Sequence, residues 1–179
     1  MLRSRLALYA DPMALEPVAI NEWQTLLSVQ AGAAATLTGL VFVAISINLS
    51  RILATPSLPA RGAESLFQFL QVFFISTVAL IPRQAITSLA VEILVIALLS
   101  WGLQIAWHIR YAMSRSGHPK VWLIVRIVQT QLASIPFFVA GVCLLTGSAA
   151  GFYWLVPGFA FSFIAGVANA WVLLVEILR

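Results

Sequence analysis

Residues 85–109 read AITSLAVEILVIALLSWGLQIAWHI, twenty-five positions whose only carboxylate is Glu92. As a helix rising about 1.5 Å per residue, such a run crosses the roughly 30 Å hydrocarbon core of a bilayer. It lacks the charged face that a surface helix of a soluble protein turns to water. Residues 64–81, ESLFQFLQVFFISTVALI, precede it across Pro82-Arg83-Gln84, so the two runs form a helical hairpin. The same reading finds spans over about 26–49, 121–145 and 152–178, with Pro136 as an expected kink in the fourth. Proline and arginine at 56–61, a basic stretch at 110–120 and an uncharged turn at 147–151 separate them. The expected fold class is an all-α membrane protein, a bundle of about five transmembrane helices.

Composition agrees. Of 179 residues, 61% are hydrophobic and 9% charged, where soluble domains hold about 45–50% and about 25%. That balance excludes a soluble enzyme, a secreted disulfide module and a disordered tail. Cys143 is the single cysteine, so neither an intramolecular disulfide nor a cysteine metal cluster is available. The net charge of +4 leaves no free basic face for nucleic acid, because most basic residues lie between apolar runs. Residues 1–24 are expected to form a short N-terminal segment, and 25–179 a single transmembrane domain. The first long apolar run lies too deep and is too long for a signal peptide, and Met13 offers a second start.

Five crossings put the termini on opposite sides. Arg51, Arg61, Arg110, Arg115, Lys120, Arg126 and Arg179 fall on one side, and Arg3, Arg5 and Arg83 on the other. The basic excess marks the cytoplasmic side, so the N-terminus is expected outside and the C-terminus inside. Trp107, Tyr111, Trp122 and Trp171 toward one surface, and Trp23, Tyr153 and Trp154 toward the other, suit the two interfaces.

Small residues recur every fourth position at Gly158, Ser162, Gly166 and Ala170 in the fifth span, and at Ala31, Ala35 and Gly39 in the first. With little hydrophobic drive between helices in lipid, such faces allow close approach, so both are expected to pack against helices of the same or another subunit.

Polar residues within spans fall into two sets. Glu92 lies about 13 Å along a helix from Arg83, near the expected midplane, and the same arithmetic brings Gln131, Asn169 and Thr38 to its depth. Protonated, Glu92 could donate to Gln131 or Asn169; ionised, it could attract a cation or accept a proton in transit. The second set lies toward the cytoplasm. Glu64, Gln68 and Gln71 share one helix face by their i, i+4, i+7 spacing, joined by Gln104, by Arg126 and Gln129, and by Glu176. If these faces converge they line a wet inner vestibule in which Arg126 pairs with Glu64 or Glu176. The plainer alternative leaves Arg126 and Glu176 snorkelling to the interface and the glutamines bonding between helices. His108, beside Arg110, reads as a headgroup-level residue, and one histidine makes no metal site.

HExxH, GxSxG and GxxxxGK[ST] are all lacking, as are paired intramembrane aspartates and an arginine ladder. No enzyme, metal or cofactor is expected.

The run Gly32-Ala33-Ala34-Ala35-Thr36-Leu37-Thr38-Gly39-Leu40-Val41-Phe42-Val43-Ala44-Ile45-Ser46-Ile47-Asn48-Leu49, with Arg51-Ile52-Leu53 and Leu58-Pro59-Ala60-Arg61 after it, resembles the opening of a group of small uncharacterised bacterial inner-membrane proteins. Some of these are labelled modulators of a membrane AAA protease. The resemblance covers about the first third of the chain, implies a bacterial inner membrane, and carries over no catalytic or binding residue. The expected function is an oligomeric channel or transporter for an ion or small solute, with the path near Glu92 and the lipid bilayer and further copies of the chain as partners. The competing expectation is a non-conducting regulatory or assembly subunit docked on another membrane protein, such as a membrane protease.

Overall fold

The computed structural model describes residues 12–54, 58–113 and 120–177, which are helical apart from short turns and contain no strand. The helices are α1 (Pro12–Ile47), α2 (Leu49–Ala54), α3 (Leu58–Ala79), α4 (Ile86–Met113), α5 (Lys120–Leu145) and α6 (Gly151–Ile177). All but α2 are long and apolar enough to cross a bilayer. The chain is a multi-pass membrane protein with five candidate spans.

Two helix starts differ most from the sequence expectation, and α4 runs on to Met113, four residues past the expected end. Helix α1 already begins at Pro12, inside the segment 1–24 expected to stand apart, because proline at the first helical position forfeits no hydrogen bond. The same reasoning lets α3 begin at Leu58 with Pro59 in its first turn, six residues before the expected start. Asn48 closes α1 by donating Nδ2 to the Ala44 carbonyl at 3.0 Å. Beyond it α2 tucks Ile52 against Ile45, Leu58 and Leu173. Helix α5 ends at Leu145, two residues before Gly147, whose φ of 78° permits the left-handed C-terminal cap. The Gly147 amide donates to the Leu144 carbonyl and the Ser148 amide to that of Cys143.

Helices α3, α4, α5 and α6 pack in a closed ring, each against the next, and α1 lies outside it, chiefly against α3. Trp23 packs on Phe152 and Tyr153, so the Trp23 end of the first span and the start of α6 share one end of the bundle, with turns 80–85 and 146–150. Helix α2, the start of α3, the end of α4 and the start of α5, with Arg51, Arg61, Arg110 and Lys120, mark the other, basic end. Within the ring, burial inverts hydropathy. The α3 span has the lowest mean hydropathy, 1.2, yet 56% of its most apolar stretch is buried, against 28% for α4 at 2.1. In lipid the polar face, which hydrocarbon cannot satisfy, turns inward.

The ring interior has two halves. Toward turns 80–85 and 146–150 it is an apolar plug built from Ile75, Ala79, Leu89, Ile93, Phe137, Leu144, Phe152, Leu155 and Phe159. Toward the basic end it is polar. The small face of α6 packs within the chain: Gly158 lies under Phe137, Gly166 lies under Phe69, Ser162 is buried and Ala170 half-buried. Aromatic rings, rather than a second backbone, fill the space these glycines leave.

The stripe in α1 behaves otherwise. Ala31 is half-buried, Ala35 and Gly39 are exposed, and a Cβ on Gly39 would meet nothing within 4 Å. The expected packing of this face does not occur within the chain, because α1 attaches through Leu27, Ala34 and Val41, seven apart, and turns the stripe outward. Gly39→Ala is therefore expected to be neutral or to stabilise by up to about 1 kcal/mol through helix propensity. Thermal unfolding in detergent checks this; a lower melting temperature would show that the stripe is covered.

Candidate functional site

Glu64, Gln68 and Gln71 project from one face of α3 into the ring, each almost fully buried. Opposite them α4 presents Gln104 and His108, and α5 presents Arg126 and Thr130, all equally buried. At the level nearest the basic end, Arg126 grips Glu64 with two donors. Its Nε donates to Oε2 at 3.2 Å, and its Nη2 donates to Oε1. His108 Nε2 lies 3.7 Å from the same carboxylate oxygen. A two-point guanidinium–carboxylate pair holds both charges in a fixed plane, which suits a site where water cannot compensate them.

One turn deeper the groups are neutral. Gln68 Nε2 donates to Gln104 Oε1 at 2.7 Å, and Thr130 Oγ1 approaches that oxygen at 3.5 Å. Gln104 Nε2 donates to the Ser100 carbonyl at 3.3 Å. Ser65 Oγ, on the adjoining face of α3, donates to the Gly166 carbonyl at 2.8 Å and ties α3 to α6. A polar column thus starts at an ion pair and continues through an amide layer inside four apolar helices.

This column brings together Glu64, Gln68, Gln104 and Arg126 of the expected inner vestibule, but its glutamines bond between helices as in the plainer alternative. It is closed: Glu64 and Arg126 are 3% and 4% exposed, because the two groups fill each other's space. Gln129 is half-buried, and its expected place belongs to Thr130, one residue on. A helix brings i+4 above i more closely than i+3. The Glu176 side chain lies outside the described residues. His108, expected as a headgroup-level residue, turns its side chain into the ring, four residues after Gln104 and facing Glu64. Thr130 and Ser134 escaped the sequence reading, although Arg126, Thr130 and Ser134 form an i, i+4, i+8 series that marks one face.

The four groups expected at one midplane level do not meet. Glu92 lies six residues, about 9 Å, into α4 from turn 80–85, beside the apolar plug. It is half-buried, and its Oε2 has no hydrogen-bond partner. Gln131 accepts a bond from Trp101 Nε1 at 2.9 Å. Thr38 returns its hydroxyl to the Ala34 carbonyl of its own helix at 2.7 Å. Asn169 is buried, three residues past Gly166 toward the basic end, near the level of Glu64. The expected common level takes equal depths at every helix end, whereas the helices are offset: the Trp101–Gln131 bond sets Gln131 opposite Trp101, nine residues, about 13 Å, along α4 from Glu92.

Among the described residues no group of three histidine, cysteine, aspartate or glutamate side chains could hold a metal ion. No protein-family model matches the chain, and neither a curated protein nor a solved structure matches it.

Proposed function

We propose that this multi-pass membrane protein moves a small ion, with protons as the species its side chains handle most readily, along the interior of its own helical ring. The observation that carries this reading is the buried Glu64–Arg126 pair, continuous with the Gln68–Gln104–Thr130 layer. Ionisable groups in membrane helices are costly and mark ion or proton pathways. Apolar residues of similar volume would hold a fold at least as well as a buried ion pair, so packing alone does not account for Glu64 and Arg126. Glu64 and His108 are groups that bind and release protons, and they face each other at 3.7 Å. The path lies within one chain and needs no axis between subunits, and its centre is Glu64 rather than Glu92. The basic end, with Arg51, Arg61 and Arg110, is its cytoplasmic mouth by the positive-inside rule, in a bacterial inner membrane by the resemblance of residues 32–61.

The test uses proteoliposomes holding a pH-sensitive dye. Wild-type protein is expected to dissipate an imposed proton gradient faster than empty vesicles. A Glu64→Met/Arg126→Leu double variant, which keeps the site neutral and filled, is expected to lose most of that flux while remaining folded. Wild-type vesicles no leakier than empty ones, or a double variant as active as wild type, would overturn the reading.

The outward face of α1 favours a second reading. Gly39 there meets open space and with Ala35, Leu70 and Phe73 lines a groove, which suits a non-conducting subunit docked on another membrane protein, a membrane protease among the candidates. Unchanged proton flux together with co-purification of a partner lost on Gly39→Leu would favour it.

A further inference from the structure

The polar column does not end at the amide layer. The pairs Gln68–Gln104, Gln104–Thr130, Ser65–Gly166 and Phe137–Phe159 fix how the four helices are offset. By those offsets Gln71 on α3, Ser134 on α5 and Ser162 on α6 fall on one level, within about two residues or 3 Å of rise. All three are at most 1% exposed, so they face the ring interior. Yet Gln71 Nε2, Gln71 Oε1, Ser134 Oγ and Ser162 Oγ have no protein partner. A buried amide or hydroxyl left unbonded is costly, and buried polar groups are satisfied almost without exception. Four such atoms on three helices at one level share a single explanation.

We infer that Gln71, Ser134 and Ser162 bind a small cluster of water at mid-depth in the membrane. The chemistry of the set selects that ligand. It is neutral and mixes donors with acceptors, which suits water and offers an ion neither charge nor enough oxygens. Pro136, two residues after Ser134, removes the amide that would bond the Leu132 carbonyl and adds an acceptor in the same turn. Ser76, also buried without a partner, lies about one turn further on, against the plug. From Glu64 to Ser76 the column runs twelve residues, about 18 Å, roughly half the bilayer. The protein therefore holds a polar half-column, closed at the basic end by the Glu64–Arg126 pair, with water at its inner end and the apolar plug beyond. This deepens the transport reading, in which Glu64 and Arg126 guard the mouth.

Cysteine accessibility tests it. In a Cys143→Ala background, Ser134→Cys and Ser162→Cys differ from the native side chains by one atom, and Ala90→Cys places a thiol inside the plug. A small hydrophilic methanethiosulfonate modifies thiolates that water can reach, while thiols in apolar packing stay inert. Ser134→Cys and Ser162→Cys are expected to react at least about tenfold faster than Ala90→Cys in intact protein in nanodiscs. Should either serine variant fail to fold, radiolytic hydroxyl labelling of the native protein is expected to oxidise side chains around this layer and spare those around Ala90. Serine positions as inert as Ala90, or an unlabelled layer, would mean that the three side chains satisfy one another dry and would overturn the inference. Reactive serines in a protein without proton flux would leave the water site standing and remove the transport reading; flux with inert serines would do the reverse.

Discussion

Arg126→Leu is expected to destabilise the protein by about 3–5 kcal/mol, since it strips the two-point guanidinium partner from a carboxylate buried inside the helical ring. Glu64 would keep its place among Gln68, His108 and apolar side chains with no guanidinium to match its charge. Against a total stability on the order of 5–15 kcal/mol, such a loss leaves little folded protein at working temperature. Thermal unfolding and yield in mild detergent measure it. The informative comparison is Glu64→Met/Arg126→Leu, which removes both charges and keeps the volume filled. That double variant is expected to return to wild-type stability or to exceed it by about 1–4 kcal/mol. A non-additive result of this kind identifies direct coupling between the two residues. If Arg126→Leu alone melts like wild type, the pair does not hold the ring together. The same double variant serves the flux measurement, so the pair's roles in folding and in conduction separate.

Gly158→Ala and Gly166→Ala are each expected to cost about 1–3 kcal/mol, through overpacking against a ring that has nowhere to go. An added Cβ at Gly158 would lie 2.6 Å from the Phe137 ring, and one at Gly166 would lie 2.5 Å from the Phe69 ring. Both rings are fully buried, so each collision must be relieved by moving a helix. Packing is the main attraction between helices in lipid, which makes such displacements costly. The two sites are eight residues, about 12 Å, apart and meet different rings, so their effects should add. Phe137→Leu is expected to restore part of the loss in Gly158→Ala and none of it in Gly166→Ala. Melting curves of the four variants decide this. Equal rescue of both glycine variants would show that the rings act through general loosening rather than local contact.

The two glycine-containing stripes show how far the sequence could be read. Both have small residues every fourth position, and the sequence reading treats them alike. One is packed under aromatic rings and the other faces outward. Residue spacing reports which side chains share a face, but not what stands opposite that face. The polar residues repeat the lesson. Glu64, Gln68 and Gln71 are legible as one face because helical geometry alone puts them there. His108 reads as an interfacial residue because Arg110 is its near neighbour in sequence, whereas in space its neighbour is Glu64. Glu92 draws attention as the lone carboxylate of an apolar run, yet it lies beside the plug and outside the column.

By itself the sequence determined that this is a helical membrane protein with five spans. Length, hydropathy and charge act locally, and hydrocarbon accepts few structures other than a helix with its backbone bonds internally satisfied. Which helices form the ring, which one stays outside it, and which polar groups meet were decided only by the tertiary structure. Those outcomes depend on the offsets between helices and on the rings that fill the spaces between them. The bilayer supplies no strong hydrophobic drive to sort apolar faces from one another. What sorts them is close packing and the need of Glu64, Arg126 and the buried amides to find partners, both of which are relations between distant parts of the chain.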